Sequence, residues 1–207
     1  MNSYQQFYAA LKVFPVFPLV EIRKRVPNFD TRRLVEWQAK GYITKIRNGW
    51  YTFADEPVDE QLSWYAANRI YPYSYISLES ALSYYGFIPE GVFQVTSCST
   101  LKTNQFDTPL GNFRYRHIKP SLFLGYNLHP FRNTVIRFAE PEKTLIDYLY
   151  LHPQIKHTDD FTALRWHATE INATINFNRL RVFETYINSA ALSRRLDLLR
   201  AYLNAHT

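Results

Sequence analysis

The chain is 207 residues long, 46% hydrophobic and 17% aromatic, enough apolar side chain for one large domain or two small ones, which excludes a disordered or low-complexity chain. Its formal net charge is +6. Its single cysteine, Cys98, excludes an internal disulfide and a cysteine-rich zinc site and fits a reducing compartment.

The first predicted element is an amphipathic helix at about 3 to 13, with Phe7, Ala10 and Leu11 at helical spacing and Pro15 as its stop. Lys12, Pro15 and Pro18 interrupt the opening stretch, which also lacks a basic leader. Neither a signal peptide nor a membrane span is therefore expected, and the reading is a cytoplasmic protein with no membrane partner. A second helix starts at Pro18 and places Leu19, Ile22 and Val26 on one side, leaving Arg23, Lys24 and Arg25 for solvent or ligand until Pro27 stops it. After a short break, Asp30 as N-cap and Gly41 as C′ residue bracket a third helix over 31–40. At 100° per residue, Leu34, Val35, Trp37 and Ala39 form one apolar arc, with Arg32, Arg33, Glu36 and Lys40 opposite.

Asn48-Gly49 between two runs of strand formers predicts a hairpin with a two-residue type I′ turn. In that register Arg47 faces Trp50, Ile46 faces Tyr51, Lys45 faces Thr52 and Thr44 faces Phe53. Ile46, Tyr51 and Phe53 then share an inner face, and Lys45, Arg47 and Trp50 an outer one.

The charge is localised. Residues 1–53 hold nine Lys and Arg against three acids, Glu21, Asp30 and Glu36, whereas residues 54–207 hold fifteen of each sign. That asymmetry is expected when a small domain faces a polyanion. Two helices joined by a tight break, the second of them basic, followed by a basic hairpin, is the order of a winged helix-turn-helix, whose second helix enters the major groove N-terminal end first. The candidate contacts to double-stranded DNA are Lys24, Arg25, Asn28, Thr31, Arg32, Arg33, Glu36, Lys40, Lys45, Arg47 and Asn48. Singly, each also reads as a solvated surface residue; their order in the chain is what favours DNA.

Residues 54–60 are acidic, contain Pro57, and read as a linker. The domain boundary expected is 1–55 and 56–207. Helices are predicted at about 60–70 and over "SLESALSYYG", between Ser77 and Gly86. "VFQVTSC", "GNFRYRHI" and "NTVIRFA" read as strands, within about 92–138. In the second, Phe113, Tyr115 and His117 share one side and Arg114 and Arg116 the other, which makes the two arginines second-rank nucleic-acid candidates. From Pro141 the pattern turns helical, at about 141–151, 158–171, 177–188 and 190–204, the last with Leu192, Leu196, Leu199 and Leu203 on one face. Strands followed by helices predict an α+β fold, a winged helix-turn-helix followed by a larger mixed part ending in helices.

"KGYITKIRNGWY", "YPYSYISLESALSYYGFIPE" and "FAEPEKTLIDYLYL", in that order, resemble the AbiEi family of type IV antitoxins from bacterial abortive-infection systems, over about residues 5–151. The resemblance implies an N-terminal winged helix-turn-helix that binds inverted repeats at its own promoter and represses transcription. It further implies a C-terminal part that counteracts a nucleotidyltransferase-type toxin. Residues 28–33 and 45–48 align with the groove-reading and wing positions of the family. Trp50 and Thr144 depart from its pattern, standing where a smaller aliphatic residue and an alanine are usual.

Two other readings remain open: a module that binds a toxin without DNA, and a metal-dependent nuclease built on Glu140, Glu142, Lys143 and Asp147. The nuclease spacing is poor, since that chemistry wants an acid, one intervening residue, then a lysine. Pro141 and Glu142 instead suit a helix N-terminus. No histidine pair has ligand spacing, no serine lies in a nucleophile-elbow context and no glycine-rich phosphate loop is present, so neither enzyme activity, a metal nor a cofactor is expected.

Overall fold

The structure is a computed structural model and describes residues 3–206. It begins with three short helices and a small sheet: α1 (Tyr4–Leu11), β1 (Phe17–Pro18), α2 (Leu19–Arg25), α3 (Arg32–Ala39), β2 (Ile43–Arg47) and β3 (Trp50–Phe53). Ser3 opens α1 with a reciprocal capping box, its hydroxyl accepting from Gln6 N while the Gln6 side chain accepts from Ser3 N. Pro27 follows the end of α2, as its disfavouring of helical geometry one residue earlier requires. Gly41, at φ 69°, lets the chain turn back from α3. The strands form an antiparallel sheet in the order β1-β3-β2. Phe7, Leu11, Phe17, Ile22, Leu34, Trp37, Ile43, Tyr51 and Phe53 bury one another beneath it, with the Phe7 and Trp37 rings 4.6 Å apart.

The remainder is built on a six-stranded mixed sheet. Its elements are α4 (Glu60–Ile70), β4 (Ser74–Ile76), α5 (Leu78–Tyr84), β5 (Gln94–Ser99), β6 (Asn104–Thr108), β7 (Gly111–His117), β8 (Tyr126–Phe131), β9 (Thr134–Ala139), α6 (Pro141–Leu151), α7 (Asp159–Ala163), α8 (Ala168–Thr174), α9 (Phe177–Ile187) and α10 (Ala190–Ala205). The strand order is β6-β7-β5-β4-β9-β8, with β4–β9 and β5–β7 parallel and the other pairs antiparallel. One sheet face, with Ile76, Val95, Phe113, Tyr115, Ile136 and Phe138, packs on α4. The other, with Tyr75 and Cys98, packs on α6, against which α5, α9 and α10 lie. The α+β class read from the sequence is what the chain adopts.

Several expectations need correction. The region expected to hold three strands also contains β6 and β8, and a further short strand, β4, precedes it at Ser74–Ile76. The helix expected over 158–171 is two helices, α7 and α8, separated where Arg165 takes a φ of 55°. The hairpin register also differs. Ile43 pairs with Phe53, Thr44 with Thr52, Lys45 with Tyr51 and Arg47 with Trp50, with a bulge at Ile46. Gly49 has a φ of 78° but Asn48 is not in the left-handed region, so the turn is not type I′. A turn with only its second residue at positive φ does not match the twist of paired strands, and the bulge supplies the missing twist.

Candidate nucleic-acid interface

The turn between α2 and α3 is fixed from below. Asn28 takes a left-handed φ of 55°, and the next ring, Phe29, lies 5.3 Å from Phe7 and 5.8 Å from Trp37. α3 therefore starts at a defined place, with Thr31 as its N-cap and Asp30 just outside. Asp30 still acts as a cap in the chemical sense, because its Oδ1 accepts from Arg32 N at 3.0 Å. The same carboxylate accepts from Arg32 Nε, and these bonds hold the Asp30 carboxyl below its ordinary range.

Of the predicted contacts, Lys24, Arg25, Asn28, Thr31, Arg32, Glu36, Lys40, Lys45 and Asn48 are exposed, while Arg33 and Arg47 are half-buried. Arg32 is the freest guanidinium at the start of α3, its side chain 90% exposed despite the ion pair with Asp30. Arg33 leans back over Trp37, 5.9 Å from the ring centroid. Glu36 and Lys40 pair one turn apart at 2.7 Å, a bond that lowers the Glu36 carboxyl and raises the Lys40 amine. On α2, Arg25 bonds Glu21 at 2.7 Å and lies over the Phe14 ring, leaving Arg23 and Lys24 as exposed cations with no ion pair among the described residues. The hairpin is tied to the start of α2, since Gly49 C=O accepts from Leu19 N at 2.7 Å.

Arg47 does not belong to this outer surface. Its guanidinium carbon sits 3.7 Å from the Phe106 ring centroid, and its Nη1 donates to Ile70 C=O at 3.3 Å. Ile46, expected beneath the hairpin with Tyr51 and Phe53, belongs instead to the buried cluster that includes Leu62, Tyr65 and Ile70 of α4, and Trp50 packs against that cluster. The bulge is the cause. With an extra residue between Lys45 and Arg47, Lys45 stays exposed while Ile46, Arg47 and Trp50 dock on the larger sheet.

Arg114 and Arg116 are not brought to the α2–α3 surface either. Phe113 and Tyr115 of β7 face the α4 side, where the hairpin docks, so Arg114 and Arg116 point to the opposite side, and Arg116 lies 3.5 Å from Leu151 C=O of α6. The sequence reading missed Val35, assigned to the apolar arc but 70% exposed. Only Leu34 and Trp37 of α3 are buried, because α3 spans eight residues and rests on the core through those two. The length of the bracketed helix was the available signal.

The likeness to known proteins is one of fold. The chain superposes on the crystal structure of the RV2827C protein from Mycobacterium tuberculosis with a TM-score of 0.57 and 14% identity, over 92% of this chain and 75% of that one. No protein-family model matches the sequence. No curated protein matches it.

The acidic cluster considered for nuclease chemistry is committed elsewhere. Lys143 and Asp147 are buried and paired with each other, and the second Asp147 oxygen accepts from Tyr75 and Ser77 hydroxyls, each at 2.8 Å. Glu142 accepts from Asn176 N at 2.5 Å, and Glu140 pairs with Arg179 at 3.0 Å. Burial pushes the Tyr75 hydroxyl and the Cys98 thiol well above their ordinary ranges, so both stay protonated. Among the described residues no group of three or more His, Cys, Asp or Glu is placed to hold a metal ion, and no helix is long and apolar enough to cross a membrane.

Proposed function

We propose that the chain is a DNA-binding transcriptional autorepressor whose residues 1–55 act as a winged helix-turn-helix and whose residues 56–207 act as the antitoxin part, counteracting a nucleotidyltransferase-type toxin in the cytoplasm. The observation that carries the DNA reading is the exposed N-terminal end of α3, where Thr31 and the outward Arg32 precede an exposed Val35 on a firmly seated helix. Arginine forks recognise guanine bidentately, and exposed methyl groups suit the thymine methyl, so this face has both kinds of base-reading chemistry. Lys24, Lys40, Lys45 and Asn48 supply donors for the phosphates around it. The antitoxin half rests on the AbiEi resemblance, and the commitment of Glu140, Glu142, Lys143 and Asp147 to internal partners supports action by binding.

The test is fluorescence anisotropy with a duplex spanning the chain's own promoter. Arg32→Ala is expected to weaken the specific complex by about 1–3 kcal/mol and to relax preference at one base pair. Promoter affinity and base preference unchanged in Arg32→Ala would remove α3 as the reading element.

A further inference from the structure

A second basic site lies outside the α2–α3 surface. Between the C-terminal end of α4 and the β8–β9 hairpin runs an open cleft of about 720 Å³, a size typical of small-molecule sites. Arg137 reaches it from β9 and Arg69 from α4, the Arg69 guanidinium also lying 5.8 Å from the Trp50 ring centroid and 6.0 Å from that of Tyr65, and no acidic residue lines it. Neither arginine forms an ion pair among the described residues. Asn68, only 3% exposed, also lines the cleft. Its Oδ1 accepts from Arg137 N at 2.6 Å, while its Nδ2 has no partner. Thr134 adds a hydroxyl, and the half-buried rings of Phe123 and Tyr126 form an apolar part of the wall.

We propose that this cleft binds a small molecule carrying a phosphate on a flat, ring-bearing body, of the class of a mononucleotide. Like charges facing one cavity without a counter-ion repel, and a bound anion removes that cost. Two guanidiniums from separate elements, with a hydroxyl beside them, offer more donors than a carboxylate's two oxygens can engage, whereas a phosphate dianion matches them in charge and in oxygen count. The Tyr126 ring is held in place by stacking on Tyr75 at 5.3 Å and by the tilted Phe123 ring, also at 5.3 Å, so the two cleft-lining rings form a fixed aromatic wall against which a planar group can pack. The volume exceeds what inorganic phosphate needs and leaves room for the ring. The site needs neither α3 nor DNA, so it stands apart from the reading proposed above.

Titration calorimetry of the full chain with adenosine monophosphate, adenosine and inorganic phosphate tests it. Adenosine monophosphate should saturate a single site, binding about tenfold or more tighter than adenosine or inorganic phosphate alone. Arg69→Ala and Arg137→Ala should each weaken it by about tenfold, Arg137→Lys should fall between because the charge survives and the fork does not, and Arg114→Ala should match the unmodified protein. Circular-dichroism melting checks that each variant is folded, and Arg137→Lys carries the test if an alanine variant is not. Absence of binding, equal binding of inorganic phosphate, or indifference to both arginines overturns the proposal. Displacement of the nucleotide by a short DNA duplex also overturns it, assigning the arginines to a nucleic-acid backbone.

Discussion

Asp147 is held by three donors in the core between the six-stranded sheet and α6. Lys143 Nζ takes one carboxylate oxygen, and the hydroxyls of Tyr75 and Ser77 take the other at 2.8 Å each. The side chains of the ion pair are 0% and 1% exposed, so water cannot replace a lost partner. The burial of this pair invisible in the sequence, where "EKTLID" shows the i, i+4 spacing of a common surface pair and nothing marks it as interior. Removing one partner leaves the other charge stranded. Asp147→Ala should therefore lower the urea-unfolding free energy by about 3–5 kcal/mol, and Tyr75→Phe by only about 1–2 kcal/mol. The double variant Lys143→Met/Asp147→Leu removes both charges and should recover most of the loss. A double variant no more stable than Asp147→Ala would show that the polar cluster contributes something beyond charge balance. Val35 is the complementary case on the surface: its helical angle pointed inward, but the core beneath α3 admits only Leu34 and Trp37.

Among elements, those with a strong periodic pattern were the legible ones. α6 starts at Pro141 and ends at Leu151 as the sequence indicates, and α10 buries Leu192, Leu196, Leu199 and Leu203. The strands missed are of a different kind. β6 and β8 are the two edges of the large sheet; β6 buries none of its residues, and β8 carries Pro130 and an exposed Leu128 and buries only Phe131, so neither has the run of buried apolar residues that marks a strand in sequence. The hairpin was legible as a hairpin, but its bulge was not, and one extra residue was enough to turn Ile46 and Arg47 from solvent or small core to the larger sheet. Lys45 and Arg47, which look equivalent in the sequence, should therefore behave oppositely. Arg47→Ala loses the contact with Phe106 and the bond to Ile70 C=O, and should cost about 1–2 kcal/mol in thermal unfolding while leaving promoter affinity unchanged. Lys45→Ala should leave the melting temperature unchanged and weaken binding evenly across DNA sequences. A large affinity loss in Arg47→Ala with no change in melting would return that residue to the phosphate-contact set.

For the whole molecule, the distribution of charge is the property that sequence and structure carry together. The surplus of +6 resides in residues 1–53, and apart from Arg47 and the half-buried Arg33 the candidate cations there remain exposed. The rest of the chain, balanced in sign, docks on that unit through Ile46, Trp50 and Arg47 and leaves the outward faces of α2 and α3 uncovered. If DNA meets those faces, binding is driven by release of counterions from the phosphates the cations neutralise. Three of the cations, Arg25, Arg32 and Lys40, already pair with acids of their own helices or turns, at 2.7–2.8 Å, and exchange those partners for phosphate at little cost because such surface pairs are weak. Contact with about five phosphates then predicts a slope of about −4 to −5 when the logarithm of the promoter association constant is plotted against the logarithm of salt concentration. Reversing the charge of Lys24 and Lys45 together should flatten the slope by about two phosphates' share. A slope near zero, or one that this double reversal leaves unchanged, would mean that the cationic surplus of the first quarter of the chain is not where DNA is held.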